Sequence, residues 1–359
     1  MVSGLLFSKN KHLGFITLNK PESLNALSFE MIQSLQLQLS AWAVDPSIHA
    51  VIIKSAPGKA FCAGGDIRGL YALKEDKEKQ LAFFWHEYRL NYFIHHYAKP
   101  YIALMDGITM GGGVGISLHG SHPVASERFI FAMPETGIGF FPDIGASKLL
   151  SQTKGQLAFY LGLTGNRLNA FEAKSSGLVF EQIASANFEN LIDALAEMDL
   201  SSNAFEKVNT CLKEFACNDK DDQMNANFQA NGLLDYKKID HYFGRDSLEA
   251  ILKDLNEIKE PWEQTIYKQL LEKSPLSLQI TFRQLTQAQS LSLANCLRMD
   301  YILVSHFIEG FDFYEGVRAL LIDKDKKPCW EYRSVEEVPA NRVIDYFETT
   351  DKHLEFDFI

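Results

Sequence analysis

The feature that most constrains the fold is a unit of strand, glycine-rich turn and helix that occurs twice. In the first unit, the apolar run at 50–54 leads into FCAGGDI (61–67) and a polar helical pattern. In the second, the apolar run at 101–105 leads into GITMGGGVG (107–115) and an apolar helical pattern. Glycine lets the backbone approach a ligand closely, and the first N–H groups of a helix lack intrahelical partners. Each turn can therefore offer one free N–H, and two such donors make an oxyanion hole.

Two carboxylates follow the second turn, each directly after a proline. They are Glu135 in Met-Pro-Glu and Asp143 in Phe-Pro-Asp, with apolar residues on both sides. Burial among apolar groups raises the pKa of a carboxyl, which suits it to acid–base chemistry. Taken singly, a glycine-rich turn indicates tight packing and an acid after proline indicates a solvated turn. Their occurrence together favours acyl chemistry through an oxyanion.

Composition narrows the class of protein and its surroundings. The 359 residues are enough for a substantial core and suggest two or three domains. A net charge of −11 argues against a surface that binds nucleic acid or an anionic membrane. The five cysteines are scattered and include no C-x-x-C pair, which fits a reducing compartment. No secretory signal or membrane-length apolar run is visible, so the sequence predicts a cytoplasmic location.

The spacing of apolar residues predicts the approximate order of helices, strands and loops. Ser28 is a suitable N-cap for a helix at 29–42, and the polar stretch at 217–232 reads as a loop. The other predicted elements are strands at 2–8 and 13–18 and helical segments at 71–98, 146–161, 241–255 and 274–307. No spacing among the histidines completes a convincing metal site.

The motifs in their order resemble the enoyl-CoA hydratase/isomerase (crotonase) superfamily, most closely its 3-hydroxyisobutyryl-CoA hydrolase branch. The resemblance rests on FCAGGDI, GITMGGGVG and MPETGIGFFPDIG, with further matches at 19–32, 274–285 and 312–330. It implies an α/β fold with a spiral core of repeated ββα units and a helical C-terminal region. The expected division is a core with CoA and oxyanion sites at 1–200, and an insert with the helical C-terminal region at 201–359.

The resemblance also implies a reaction and its residues. The substrate would be a short β-hydroxyacyl-CoA thioester, hydrolysed to 3-hydroxyisobutyrate and CoA in valine degradation. The N–H groups of Gly65 and Gly112 would hold the oxyanion, and Gly112 would also bind the substrate. Glu135 would act on the acyl carbon as nucleophile or as general base. Asp143 would bind the substrate hydroxyl or pass a proton to the leaving thiol.

Other sites rest on the resemblance alone. It places a substrate-contacting acid at Glu87. Without the resemblance, Glu87 would be interpreted as a glutamate on a helix face in contact with solvent. It places Ala63 and Asp66 at the adenine end of CoA. It implies no metal and no cofactor, because CoA is part of the substrate. The expected partner is an acyl-CoA, with neither nucleic acid nor membrane, and superfamily members form trimers and hexamers, so a homo-oligomer remains open.

Gly115 favours the hydrolase branch. Hydratases of the superfamily carry a first glutamate just after the glycine triplet, and glycine at that position cannot act as acid or base. Two alternatives remain open. One is an enoyl-CoA hydratase or isomerase with a reduced acid set, which would move a double bond without releasing thiol. The other is a catalytically silent CoA-binding protein, which would bind CoA without turnover.

Overall fold

The computed structural model describes residues 4–217, 234–349 and 353–356. The loop predicted at 217–232 lies outside those ranges except for Cys217. The strands of the described ranges are β1 Leu5–Asn10, β2 Leu13–Leu18, β3 Ala50–Ser55, β4 Ala60–Cys62, β5 Tyr101–Met105, β6 Ile108–Met110, β7 His122–Ala125, β8 Ile130–Ala132, β9 Leu168–Asn169 and β10 Glu181–Gln182.

These strands form two sheets. The larger has the order β1-β2-β3-β5-β7-β10 and the smaller the order β4-β6-β8-β9. The β1–β2 hairpin and the β8–β9 pair are antiparallel, and the other pairs are parallel. The runs in β3 and β5 are buried almost throughout, since internal strands of a parallel sheet are covered on both faces.

The helices complete the repeating units. They are α1 Phe29–Val44, α2 Ile67–Ala72, α3 Lys77–His95, α4 Gly112–Gly115, α5 Ala146–Ser151, α6 Leu157–Thr164, α7 Ala170–Ser175, α8 Phe188–Glu197, α9 Ala204–Glu214, α10 Tyr236–Phe243, α11 Leu248–Glu257, α12 Pro261–Leu271, α13 Pro275–Ala288, α14 Leu293–Phe307, α15 Asp312–Val317 and α16 Ala340–Asp345. Short 3₁₀ turns lie at Pro21–Ser23, Glu135–Ile138, Ser185–Asn187 and Val335–Glu337, and a π-helical turn lies at Arg318–Ile322.

The chain winds repeatedly from the large sheet to the small sheet and then into a helix. It does so through β3, β4 and α2, and again through β5, β6 and α4. The first unit differs, because β1 and β2 both belong to the large sheet before α1 begins. Ser28 caps α1 by accepting a hydrogen bond from the Met31 N–H, as the sequence predicts. The predicted spiral of ββα units is thus present.

Three predicted helical segments are each divided. The segment at 274–307 forms α13 and α14, and Ser292 caps α14. The segment at 146–161 forms α5 and α6, with Gly155 between them at a φ of 58°. The segment at 241–255 overlaps α10 and α11, which are separated at Gly244. Gly155 interrupts the segment at 146–161 because glycine adopts the left-handed conformation cheaply.

The C-terminal helices close around the core. Helix α14 packs against α3, and α13 packs against α5 and α6. The division at residue 200 stays a prediction. No helix in the described ranges combines the length and the apolar character needed to cross a bilayer.

Candidate active site

The two glycine-rich turns meet at one edge of the small sheet. Strands β4 and β6 run in parallel, so the turns that follow them lie side by side. Gly64 has a φ of 116°, and Gly111 has a φ of 47° with a ψ of −125°. These backbone conformations favour glycine, because a side chain would be strained there.

The predicted oxyanion donors, Gly65 and Gly112, face the same space. A Cβ atom built on Gly112 would lie only 3.2 Å from the Gly65 nitrogen. Neither N–H donates a hydrogen bond to any described residue. The Phe83 ring covers this turn, with its Cζ 3.1 Å from a Cβ built on Gly65. Two unoccupied donors under an aromatic ring can stabilise a developing negative charge.

Glu135 lies directly beside these donors. It begins the 3₁₀ turn after Pro134, and its Oε1 is 3.2 Å from a Cβ built on Gly111. The residue is 7% exposed, and its Oε2 has no hydrogen-bond partner among the described residues. A buried carboxyl with an unused oxygen is available to a ligand.

Glu87 reaches the same place from α3. It is 2% exposed, which differs from the alternative of a glutamate touching solvent. Its Oε1 has no hydrogen-bond partner in the described ranges and would collide with a Cβ on Gly112. The structure therefore brings Glu87 to the oxyanion donors.

Asp143 completes the group of acids. It is 6% exposed, and its Oδ2 accepts a hydrogen bond of 2.7 Å from the hydroxyl of Tyr88. Tyr88 follows Glu87 on α3, so one helix supports two acids of the site. The rings of Phe84 and Phe140 stack nearby with centroids 5.8 Å apart.

Burial raises the pKa values of these acids. Desolvation is the largest cause for Glu87 and for Glu135, and the charge of Asp143 raises both further. Desolvation raises the pKa of Asp143 to about 7, while the hydrogen bond from Tyr88 lowers it. Because the carboxyls repel one another's charge, the cluster keeps protons near neutral pH. It can then hold one ionised base beside a protonated acid.

The loop that carries Asp143 is held in a strained conformation. Ile144 has a φ of 56°, which a β-branched residue seldom adopts, and Gly145 follows at 72°. The buried His119 donates through Nε2 to the Ile144 carbonyl at 2.7 Å. Burial lowers the pKa of His119 to about 4, so the ring is neutral at physiological pH. His119 therefore orients the loop as a hydrogen-bond donor without adding charge.

Two further buried residues hold the same loop. Asp300 on α14 accepts from the Gly145 N–H at 2.8 Å and from Gln284 at 2.7 Å. Gln284 on α13 also donates to the Pro142 carbonyl at 2.9 Å. The C-terminal helices thus fix the position of Asp143.

Ala63 and Asp66 belong to the first glycine turn. The Ala63 N–H donates to the Leu24 carbonyl at 3.0 Å. The Asp66 carboxylate accepts from the Gly69 N–H at 3.0 Å and caps α2. These bonds fix the turn but leave the expected contact of both residues with CoA a prediction.

The sequence interpretation missed four buried polar residues that hold the loop at 142–145: Tyr88, His119, Gln284 and Asp300. The clearest available signal was Asp300, an acid inside the apolar run of α14. Groups of three or more possible metal ligands do not occur in the part of the chain that the structure describes. The expectation of a site without metal stays a prediction.

Comparison with known proteins identifies the family. The family model described as enoyl-CoA hydratase/isomerase matches residues 13–347. The chain belongs to the enoyl-CoA hydratase/isomerase family. Relatives within that family include the mitochondrial 3-hydroxyisobutyryl-CoA hydrolases of Mus musculus and Xenopus tropicalis. The first is 41% identical over 94% of this chain and 86% of its own length, and the second is 43% identical over 95% and 88%.

Solved structures of the enoyl-CoA hydratase/isomerase family share the fold. A carnitinyl-CoA dehydratase from Mycobacterium thermoresistibile has a TM-score of 0.88 and 29% identity over 100% of both chains. An enoyl-CoA hydratase from Rhodobacter sphaeroides 2.4.1 has a TM-score of 0.85 and 32% identity over 96% of this chain and 97% of its own. The predicted family, its hydrolase branch and the crotonase-like fold are confirmed.

Proposed function

We propose that this protein is a thioesterase that hydrolyses 3-hydroxyisobutyryl-CoA to 3-hydroxyisobutyrate and CoA. The observation that carries the proposal is the meeting of two N–H groups, from Gly65 and Gly112, with the buried carboxyl of Glu135, where neither N–H donates to a described residue. An oxyanion site beside a base or nucleophile is the requirement of acyl transfer. Relatives that carry this activity in their names align over nearly the whole chain.

In the proposed reaction the thioester carbonyl oxygen binds to the N–H groups of Gly65 and Gly112. Glu135 either attacks the acyl carbon or removes a proton from the water that attacks it. The C–S bond breaks as the oxyanion collapses, and the leaving thiolate takes one proton. If Glu135 is the nucleophile, water then hydrolyses the resulting anhydride. Both routes consume one water for each thioester.

Asp143 and Glu87 serve this reaction at two other points. The pKa of about 7 and the contact with Tyr88 suit Asp143 to hold a proton for the leaving thiolate or to bind the substrate hydroxyl. Glu87 lies beside the oxyanion donors and contacts the acyl group. The backbone at Ala63 and Asp66 contacts the adenine end of CoA.

The proposal includes no metal and no separate cofactor. Dialysis against a chelator is expected to leave the rate of thiol release unchanged, and a loss restored by a divalent ion would contradict this. The net charge of −11 argues against nucleic acid or an anionic membrane as a partner. A cytoplasmic location and a homo-oligomer stay predictions, and the relatives compared above carry the word mitochondrial in their names.

The experiment that tests the function pairs two substrates. Purified protein is incubated with 3-hydroxyisobutyryl-CoA and free thiol is followed, while crotonyl-CoA is read in parallel for loss of the enoyl chromophore. We expect thiol release from 3-hydroxyisobutyryl-CoA and no loss of the enoyl chromophore of crotonyl-CoA. Chromophore loss without thiol would establish a hydratase, and CoA binding without turnover on either would establish a binding protein.

A further inference from the structure

Asn91 is a buried polar residue that the proposed reaction does not use. It lies on α3 and is 0% exposed. Neither Oδ1 nor Nδ2 of its side chain has a hydrogen-bond partner among the described residues. An amide buried without partners destabilises the fold, so its position calls for an explanation.

The side chain lies on the face of α3 that builds the active site. Asn91 follows Glu87 by four residues and Tyr88 by three, and such pairs share one face of a helix with Cβ atoms about 5–6 Å apart. Helix α4 runs alongside α3 in the same order. A Cβ built on Gly112 would contact Glu87, and a Cβ built on Gly115 would contact Asn91. The amide therefore lies one turn further along α3 than the carboxyl beside the oxyanion donors.

Gly115 leaves the room that Asn91 occupies. A Cβ on Gly115 would lie 2.6 Å from Nδ2 and 3.1 Å from Oδ1. A residue larger than glycine at 115 would therefore displace this amide. The absence of a side chain at 115 thus has a second consequence, which is that the Asn91 amide occupies the space that a side chain there would take.

The chemistry of the amide differs from that of its neighbours. The cluster of Glu87, Glu135 and Asp143 is rich in carboxyl oxygens, which accept hydrogen bonds when ionised. A hydroxyl group donates one hydrogen bond and accepts others, and an amide offers both complements from one side chain. An unpaired amide therefore offers a neutral hydroxyl both a donor and an acceptor at any pH, whereas a carboxyl does so only while it is protonated.

We propose that Asn91 is a specificity-determining residue that binds the β-hydroxyl of the acyl group. Nδ2 donates a hydrogen bond to the hydroxyl oxygen, and Oδ1 accepts a hydrogen bond from the hydroxyl group. This inference rests on the proposed function, and it leaves Asp143 to hold the proton for the leaving thiolate. The enzyme should then favour hydroxylated acyl groups over matched acyl groups that lack the hydroxyl.

The test compares two substrates that differ only in that hydroxyl. Thiol release from 3-hydroxyisobutyryl-CoA and from isobutyryl-CoA is measured for the wild type and for Asn91→Leu, a variant of nearly the same shape. The ratio of the two kcat/KM values is expected to fall at least about tenfold in the variant. The fall should come from the hydroxylated substrate, with isobutyryl-CoA hydrolysed as before. The melting temperature should be unchanged or higher, because an unpaired buried amide is removed.

Thr281→Val is the matched control. Thr281 is also fully buried with an unpaired oxygen among the described residues, but it packs against Gly162 of α6. Its variant should keep the wild-type ratio. Asn91→Ala repeats the test if the leucine variant does not fold, and it should show the same fall in the ratio.

Three results would overturn the inference. An equal loss on both substrates, with a lower melting temperature, would mean that Asn91 supports only the fold. An unchanged ratio in both variants would mean that the hydroxyl binds elsewhere. Failure of the wild type to release thiol from either substrate would instead refute the proposed function itself, and this inference with it.

Discussion

Replacing Gly112 by alanine should remove most of the activity and keep the fold. Gly112 lies outside the left-handed region, so alanine adds no backbone strain. The new Cβ would collide with Oε1 of Glu87, which is the end of a flexible side chain and can rotate away. It would lie 3.3 Å from Leu27 Cδ1, a contact that relaxes with a small shift.

The magnitude follows from the space between the two donors. A carbonyl oxygen held by both N–H groups must lie about 2.7–3.1 Å from each nitrogen. The methyl group of alanine would lie 3.2 Å from the Gly65 nitrogen and take that space. Loss of one oxyanion donor lowers kcat by about 10²–10³, or about 3–4 kcal/mol, and displacement from both should reach at least that range.

Gly113 supplies the matched comparison. A Cβ there would collide with the Cys62 carbonyl oxygen and lie 2.9 Å from its carbon. This neighbour is backbone within a strand and cannot rotate away, so Gly113→Ala should lower the melting temperature strongly. Thiol release and thermal unfolding by circular dichroism are measured for both variants. A Gly112→Ala variant with a rate within tenfold of wild type would refute the oxyanion assignment, and one that unfolds like Gly113→Ala would mean that the turn serves packing.

Three further predictions concern the acids and their supports. Glu135→Gln should lower thiol release by about 10²–10⁴-fold while CoA binding, measured by calorimetry, is retained; full turnover would exclude its role. Tyr88→Phe removes the hydrogen bond that stabilises ionised Asp143, so the pKa of this acid rises and the alkaline limb of kcat/KM should move to higher pH. If the alkaline limb stays at the same pH, Asp143 does not supply the proton to the leaving thiolate. Gln284→Leu leaves Asp300 with one bond fewer and should lower the free energy of unfolding by about 1–3 kcal/mol in urea titration, together with the rate. An unchanged rate at lower stability would show that the loop tolerates movement.

The sequence predicts the parts of the site that come from short segments. The two glycine turns each follow an apolar strand, and parallel pairing of β4 and β6 brings them together. Glu135 and Asp143 lie within one loop after the second turn, so local pattern is enough to select them. Their raised pKa values were predictable because their sequence neighbours are apolar.

The supports of Asp143 were not predictable in this way. Gln284 lies 142 residues from Pro142, and Asp300 lies 155 residues from Gly145. Only the packing of the C-terminal helices against the core brings such pairs together. The same reason applies to Asn91, whose unpaired amide is visible only once α3 lies against α4. A polar residue on an apolar helix face indicates that a buried hydrogen-bond partner exists, but the sequence does not show which residue that partner is.

The chemical step itself is tested most directly by the products of one substrate in labelled water. 3-Hydroxyisobutyryl-CoA is incubated with the protein in H₂¹⁸O, and the products are analysed by mass spectrometry. We predict free CoA and 3-hydroxyisobutyrate with ¹⁸O from water in its carboxylate, formed by the wild type and lost in Glu135→Gln. An unsaturated acyl-CoA, lighter by one water and with its thioester intact, would mean that the site dehydrates its substrate and would contradict the account.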